Sequence, residues 1–232
     1  VRSTLAGICC GLTVLIRPGW LPAVFVAIAF LLTRSATSCR IRVRAGSLFL
    51  LGVTVALLPW VYRNHAVTGH WVVTSLWAGP SLYDGLNPTA TGGSDMTFVD
   101  EDGLYASLTE YEANSRYTQK AIAFATQHPA RVAQLAIVKA GRFLSPFLSA
   151  SAVAAPQVNL PCLLWYTIFT FATLLGGYQL RQQRFVLLFL LWPLVQFLLV
   201  HMVFVGSVRY RLPVELPLAV LAAVGVRRLL GK

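Results

Sequence analysis

The chain has 232 residues, of which 56% are hydrophobic and only 12% charged, with a mean hydropathy of +0.66. Soluble domains carry about 25% charged residues, so an ordinary soluble globule is excluded and a multi-pass membrane protein is expected. The net charge of +11 comes without a nucleic-acid-binding motif, and the basic residues gather in short stretches between apolar runs, as the positive-inside rule describes.

The first apolar segment runs from Ser3 to Ile16 and ends at Arg17-Pro18; the second runs from Trp20 to Thr33. Both are shorter than the roughly 20 residues a spanning helix needs. They form either two short tilted helices in a hairpin or a re-entrant pair. Pro18 stops one helix and suits the first turn of the next. Adjacent Cys9 and Cys10 read as small packing residues; with Cys39 and Cys162 they offer no metal-site spacing and no expected disulfide. The opening at Val1 lacks the charged region and cleavage site of a signal peptide, and the chain is expected to continue a longer protein.

Arg34, Arg40, Arg42 and Arg44 follow with no acid among them, the strongest cytoplasmic signal in the sequence. The third segment, Ala45 to Tyr62, ends with Trp60 and Tyr62 placed for an interfacial aromatic belt and leads into Arg63-Asn64. A long polar region then reaches about Gln157 and holds Asp84, Asp95, Asp100, Glu101, Asp102, Glu110 and Glu112. Its first half is rich in Gly, Pro, Asn and Thr and reads as turns, with a short strand expected at Val72 to Leu76. A helical pattern begins near Leu104, with Ser107 and Glu110 fitting a capping box, and Pro129 breaks it. The next helix, about Ala130 to Leu144, carries Val132, Leu135, Val138 and Phe143 near one face and Arg131, Lys139 and Arg142 elsewhere. It is expected to lie on the membrane surface. Segments four, five and six run from about Leu160 to Tyr178, Phe185 to Val205 (with a kink expected at Pro193) and Pro213 to Leu230.

The expected architecture is therefore all-α and integral to the membrane, with about six transmembrane segments. Residues 1–62 hold the first three, 63–157 form an extracytoplasmic loop with amphipathic interfacial helices, and 158–232 hold the last three. Parity agrees: with Arg34 to Arg44 inside, Arg181 and Arg184 are also inside, and so are Arg227, Arg228 and Lys232. The expected location is the plasma (inner) membrane, with the C-terminus cytoplasmic.

On that topology Arg17, Arg63, Arg209 and Arg211 fall at the outer face, flanked by proline or aromatics. An arginine forced to mid-bilayer costs at least about 2.5–3.5 kcal/mol, so these sit at an interface or meet an anion. The planar guanidinium fork suits a lipid-borne phosphate, and these four are the candidate phosphate-binding residues. A plain headgroup anchor is the competing reading for each, and Glu215 is a candidate ion-pair partner for Arg209 and Arg211. His201, near the outer end of segment five, is placed to line the same cavity. Tyr83, Asn87, His70 and Tyr210 are weaker candidates for touching a sugar or acceptor; Asn87-Pro88 equally reads as a turn. His65 and His128 sit in the same outer region, and a plain surface histidine is the competing reading for His70. The Asp95 to Asp102 stretch lacks the spacing of a calcium-binding helix–loop–helix and reads as a solvated acidic turn.

The ordered set Gly11-Leu12-Thr13 to Arg17-Pro18, Pro59-Trp60 to Arg63-Asn64, Leu82-Tyr83 to Asn87-Pro88 with Thr91-Gly92-Gly93, His128-Pro129, and Arg209-Tyr210-Arg211-Leu212-Pro213 resembles the C-terminal half of GT-C membrane glycosyltransferases. It is similar to the dolichyl-phosphate-mannose protein mannosyltransferases and aminoarabinose transferases. The resemblance implies transfer of a sugar from a polyprenyl-phosphate donor to an acceptor at the outer face of the membrane, with the lipid bilayer and that donor as partners. It places the acidic general base in a first outer loop that would lie upstream of Val1, so it assigns no catalytic residue within this chain. No cofactor is indicated, and a divalent metal is compatible with the resemblance but has no ligand set here. A membrane transporter or flippase subunit, and a non-catalytic remnant, are the alternatives; nearly pure apolar spans and the lack of an internal repeat count against the first.

Overall fold

A computed structural model of the chain describes residues 1–33, 38–147 and 156–231. Arg34 and Lys232, both counted above as inside signals, lie outside the described residues. Every regular element among the described residues is helical: α1 (Arg2–Ile16), α2 (Leu21–Thr33), α3 (Cys39–Thr68), α4 (Ala78–Gly85), α5 (Thr97–Asp102), α6 (Leu104–Ser107), α7 (Glu110–Gln127), α8 (Pro129–Leu144), α9 (Pro156–Gln179), α10 (Arg184–Val203) and α11 (Leu212–Leu229). Short 3-10 turns precede α2 (Pro18–Trp20), follow α9 (Leu180–Gln182) and precede α11 (Val208–Arg211). Three helical stretches are long and apolar enough to cross a membrane: Cys39–Thr68, Val158–Gln182 and Arg184–Val203. Arg2–Ile16 and Pro18–Thr33 are apolar but shorter. Helix α11 has acidic Glu215 in its first turn and Arg227 and Arg228 in its last.

The chain divides into two units, one of Val1–Ala78 with Leu104–Ser115 and one of Gly79–Gly103 with Arg116–Lys232. In the first, α1 packs along α3 and α2 against the same helix. The sequence explains the α1–α3 contact. Gly7 and Gly11 stand four apart on one face of α1, opposite Gly52 and Ala56 of α3; a Cβ on Gly7 would overlap the Phe49 carbonyl, and one on Gly52 the Thr4 carbonyl. Small residues four apart let helix backbones touch where apolar solvent offers no hydrophobic drive. Val14, Val24, Phe49 and Val53 fill the space beside this contact, with Cys10 packed against them. Cys9 faces outward.

Helix α3 extends beyond the expected end at Tyr62. It continues to Thr68 because Pro59 sits inside it without ending it, and the stop comes at Gly69, left-handed at φ 74°, whose N–H bonds the His65 carbonyl at 2.8 Å. Arg63 therefore lies on the helix rather than capping it. The strand expected at Val72 to Leu76 does not form. Its carbonyls are taken by α3 side chains instead: Asn64 Nδ2 donates to Val72 O at 3.0 Å and Trp60 Nε1 to Thr74 O at 2.7 Å. The capping box also shifts by two residues. Glu112 accepts from the Thr109 N–H at 3.0 Å while Thr109 Oγ1 accepts from the Glu112 N–H at 3.3 Å, and Ser107 turns back to the Leu104 carbonyl.

In the second unit α9 and α11 pair along their length, and α10 packs on α11 and α8. Small residues again set the approach: a Cβ on Gly176 would overlap the Leu221 carbonyl, and one on Gly225 the Ala172 carbonyl. Outward faces carry large apolar side chains such as Trp165, Ile168, Phe171, Leu188 and Phe189, all more than half exposed. Helix α8 does not present the face expected of it. Leu135, Lys139 and Phe143, each four residues on from the last, form its buried stripe, whereas Val138 is 41% and Ile137 71% exposed. Lys139 belongs to the core side because the i, i+4 spacing puts it between Leu135 and Phe143.

Candidate functional site

The site grows from the connection between α10 and α11. Helix α10 ends at Val203, and the chain runs through Phe204, Val205, Gly206 and Ser207 into the Val208–Arg211 turn before Pro213 opens α11. Such a connection exposes peptide groups that need partners, and α8 supplies them. Lys139 Nζ donates to Val203 O at 2.7 Å, and Arg142 Nε donates to Gly206 O at 3.2 Å. The Gly206 N–H donates to Gly92 O at 2.9 Å. Gly206 has to be glycine here, because a Cβ would overlap the Lys139 carbonyl.

Lys139 is fully buried. Burial pulls its ammonium down to about 8, and the charge of Asp84 works in the opposite direction. Asp84 is itself buried at the end of α4, accepting from Ser94 Oγ at 2.7 Å and from the Asp95 N–H at 2.8 Å. A buried cation facing a carbonyl and a hydrogen-bonded carboxylate is the arrangement that keeps buried charge affordable.

The two arginines of the connection have different lives. Arg211 is buried: Nε pairs with Glu215 Oε1 at 3.1 Å, and Nη1 donates to Ser145 O at 2.9 Å and Phe143 O at 3.4 Å. Its guanidinium also lies over the Tyr166 ring, 4.5 Å from the centroid. The ion pair expected with Glu215 forms with Arg211. Arg209 is exposed, with its guanidinium over the Tyr210 ring and Nη2 donating to the Tyr210 hydroxyl at 2.8 Å. Tyr210 in turn stacks on His201 at 4.3 Å and 12°. His201 is buried in α10 and its Nδ1 meets Val205 O at 2.9 Å. A carbonyl only accepts, so Nδ1 is the donor of this bond. Around this connection stand Lys139, Arg142, Arg209 and Arg211 against Asp84 and Glu215. The balance is positive, and the exposed member is an arginine fork held by an aromatic ring.

Arg17 and Arg63 belong to the other unit. Arg17 ends α1 in extended backbone, half-buried. Arg63 is exposed over the Trp60 ring and donates to Asn64 Oδ1 at 3.3 Å. His70, in the same unit, is exposed and stacks on Tyr111 at 3.6 Å. In the second unit Tyr83 packs edge-on against Phe98 at 5.0 Å and beside Tyr117. Asn87 closes a turn: Nδ2 donates to Tyr83 O at 2.8 Å, and Oδ1 accepts from the Thr89 N–H at 2.9 Å. In the acidic stretch Asp95 caps Thr97 and Asp102 pairs with Lys120 at 2.6 Å. The Thr97 bonds hold the exposed Asp95 carboxyl below its usual range. Lys139, Arg142 and Asp84 were not among the sequence candidates; the spacing of Lys139 from Leu135 and Phe143 was the signal for the first. No protein-family model, no curated protein and no solved structure matches this chain.

Proposed function

We propose that the chain is part of a polytopic glycosyltransferase of the plasma membrane, moving a sugar from a polyprenyl-phosphate donor to an acceptor at the outer face. In this reading α1, α2, α3, α9, α10 and α11 are six membrane segments. Arg40, Arg42, Arg44, Arg181, Arg184, Arg227 and Arg228 lie inside, and the α10–α11 connection lies outside. The observation that carries it is the division of labour between Arg209 and Arg211. One guanidinium ties the connection down, while its neighbour stands exposed on Tyr210 at the end of an apolar helix. That is where the phosphate of a lipid-anchored donor would arrive, and a fork preorganised there stabilises it as a leaving group.

The two arginines give separable tests in the protein as its gene encodes it. A charged hydrogen bond contributes about 1.5–3 kcal/mol, so Arg209→Gln is expected to lower transfer from a polyprenyl-phosphate sugar about 10- to 100-fold. Protein level in the membrane stays unchanged. Arg211→Gln is expected to lower protein level and transfer together, because it unties Ser145 and Glu215. Undiminished transfer by Arg209→Gln rejects the phosphate role.

A further inference from the structure

We infer that the cleft between the C-terminal ends of α9 and α11 binds the phosphate headgroup of an anionic lipid. This cleft is independent of the α10–α11 connection and of the transferase reading. It has a volume of about 470 Å³ and is lined by Gln179, Val224, Arg227, Arg228 and Gly231. It lies just beyond the Gly176–Gly225 contact, where the two backbones touch. Arg227 and Arg228 are exposed, and neither has an ion pair or hydrogen bond from its guanidinium to the described residues.

The local charge leaves room for an anion. Between residues 158 and 231 the acid is Glu215, twelve positions before Arg227. At 1.5 Å per residue that is about 18 Å away along α11, and Glu215 is occupied by Arg211. The C-terminal ends of α9 and α11 each add about half a negative charge, less than the two guanidinium charges facing the cleft. Arginine forks grip phosphate oxygens in pairs, and Gln179 supplies a further amide.

A lipid fits better than a free anion because the cleft is continuous with apolar surface. Val224 lines it, and Val226, Leu229 and Leu230 beside it are 42%, 66% and 69% exposed. Helix α9 is apolar enough to cross a bilayer and α11 packs along it, which sets their ends at headgroup depth. Basic pockets at helix ends are the recurring form of such sites.

The test is native mass spectrometry of the chain in detergent with phosphatidylglycerol against excess phosphatidylcholine. One phosphatidylglycerol is expected to stay bound. Each basic residue near an anionic surface is worth roughly a fivefold change, so Arg227→Gln with Arg228→Gln is expected to weaken retention about 30-fold. The exposed pair Arg40→Gln with Arg44→Gln removes the same charge from residues that do not line the cleft, and is expected to change it less than about threefold. Arg227→Lys with Arg228→Lys keeps charge and fold but loses the fork, and is expected to bind several-fold more weakly. Equal losses from the two glutamine pairs would mean diffuse attraction and overturn the site. Wild-type retention by the lysine pair overturns it as well. Displacement by inorganic phosphate at matched ionic strength would make it a free-phosphate site and overturn the lipid assignment.

Discussion

Two contacts inside the second unit are built on the same device and held by opposite means. Where α9 meets α11, and where α8 meets the α10–α11 connection, a glycine is pressed against a neighbouring carbonyl. Between α9 and α11 the rest is largely shape: apolar side chains, with Thr173 Oγ1 donating to Phe169 O at 2.8 Å and lying 3.5 Å from Leu218 O. Between α8 and the connection the rest is charge, with Lys139 taking the carbonyl of Val203 at the end of α10 and Arg142 that of Gly206 in the irregular stretch beyond it. A contact made of shape is broken by adding an atom. A contact made of satisfied polar groups is broken by taking one away.

Lys139→Met is the sharpest way to break the polar contact. It leaves Val203 O without its donor and Asp84 without its nearby cation, at a cost of about 3 kcal/mol. Thermal unfolding in detergent, followed by circular dichroism, is expected to show the loss. The same pair of proteins gives a pH test. Below about pH 8 the Lys139 ammonium is charged in both folded and unfolded chains, and the burial cost is carried in full. Between about 8 and the ordinary lysine value of 10.5 the folded chain releases its proton first and the unfolded chain holds more protons. The Lys139 contribution to stability therefore rises with pH across that window and is flat below it. The stability difference between wild type and Lys139→Met should widen from pH 8 to 10; a difference that narrows would mean the ammonium is not desolvated.

The shape contact is tested by Gly176→Ala. One methyl against the Leu221 carbonyl is expected to cost roughly 1–3 kcal/mol. Adding Gly225→Ala should cost less than the sum, since both relieve themselves by the same separation of α9 from α11. The smallest effect has the opposite sign. Gly141, on α8 itself, has nothing within reach of an added Cβ. Gly141→Ala is expected to stabilise by about 0.5–1 kcal/mol through helix propensity alone. A destabilising Gly141→Ala would mean that α8 has a neighbour on that side.

Much of the fold was legible because its causes are local. Hydropathy marks α10 within two residues of the expected bounds, Pro129 starts α8, and the four-residue spacing of Arg211 and Glu215 announces their pair. The glycines of α1, α3, α9 and α11 are small residues spaced along apolar helices, a signal for backbone contact that the sequence reading did not use because the periodicity of large side chains conceals it. Two local readings failed because rival local solutions existed. Ser107 with Glu110 and Thr109 with Glu112 both fit a capping box, and geometry chose the second. Val72 to Leu76 has strand-like composition, yet Trp60 and Asn64 claim its carbonyls before any strand partner can.

The site was less legible, and for a physical reason. Arg209 and Arg211 are the same residue type, two positions apart; nothing along the chain says that one is exposed and the other buried. That difference depends on carbonyls at Phe143 and Ser145, which lie far away in sequence. Lys139 shows the same limit more strongly. Its type argues for solvent and its spacing for the core, and the conflict is settled by Val203 O, 64 residues on, and by Asp84. Local pattern was enough to mark the long apolar helices, because hydrogen bonding and hydropathy act over a turn or two. Which charges are buried, which are tied and which are left exposed was decided by folding, because desolvated charge is stable only where distant parts of the chain bring it partners.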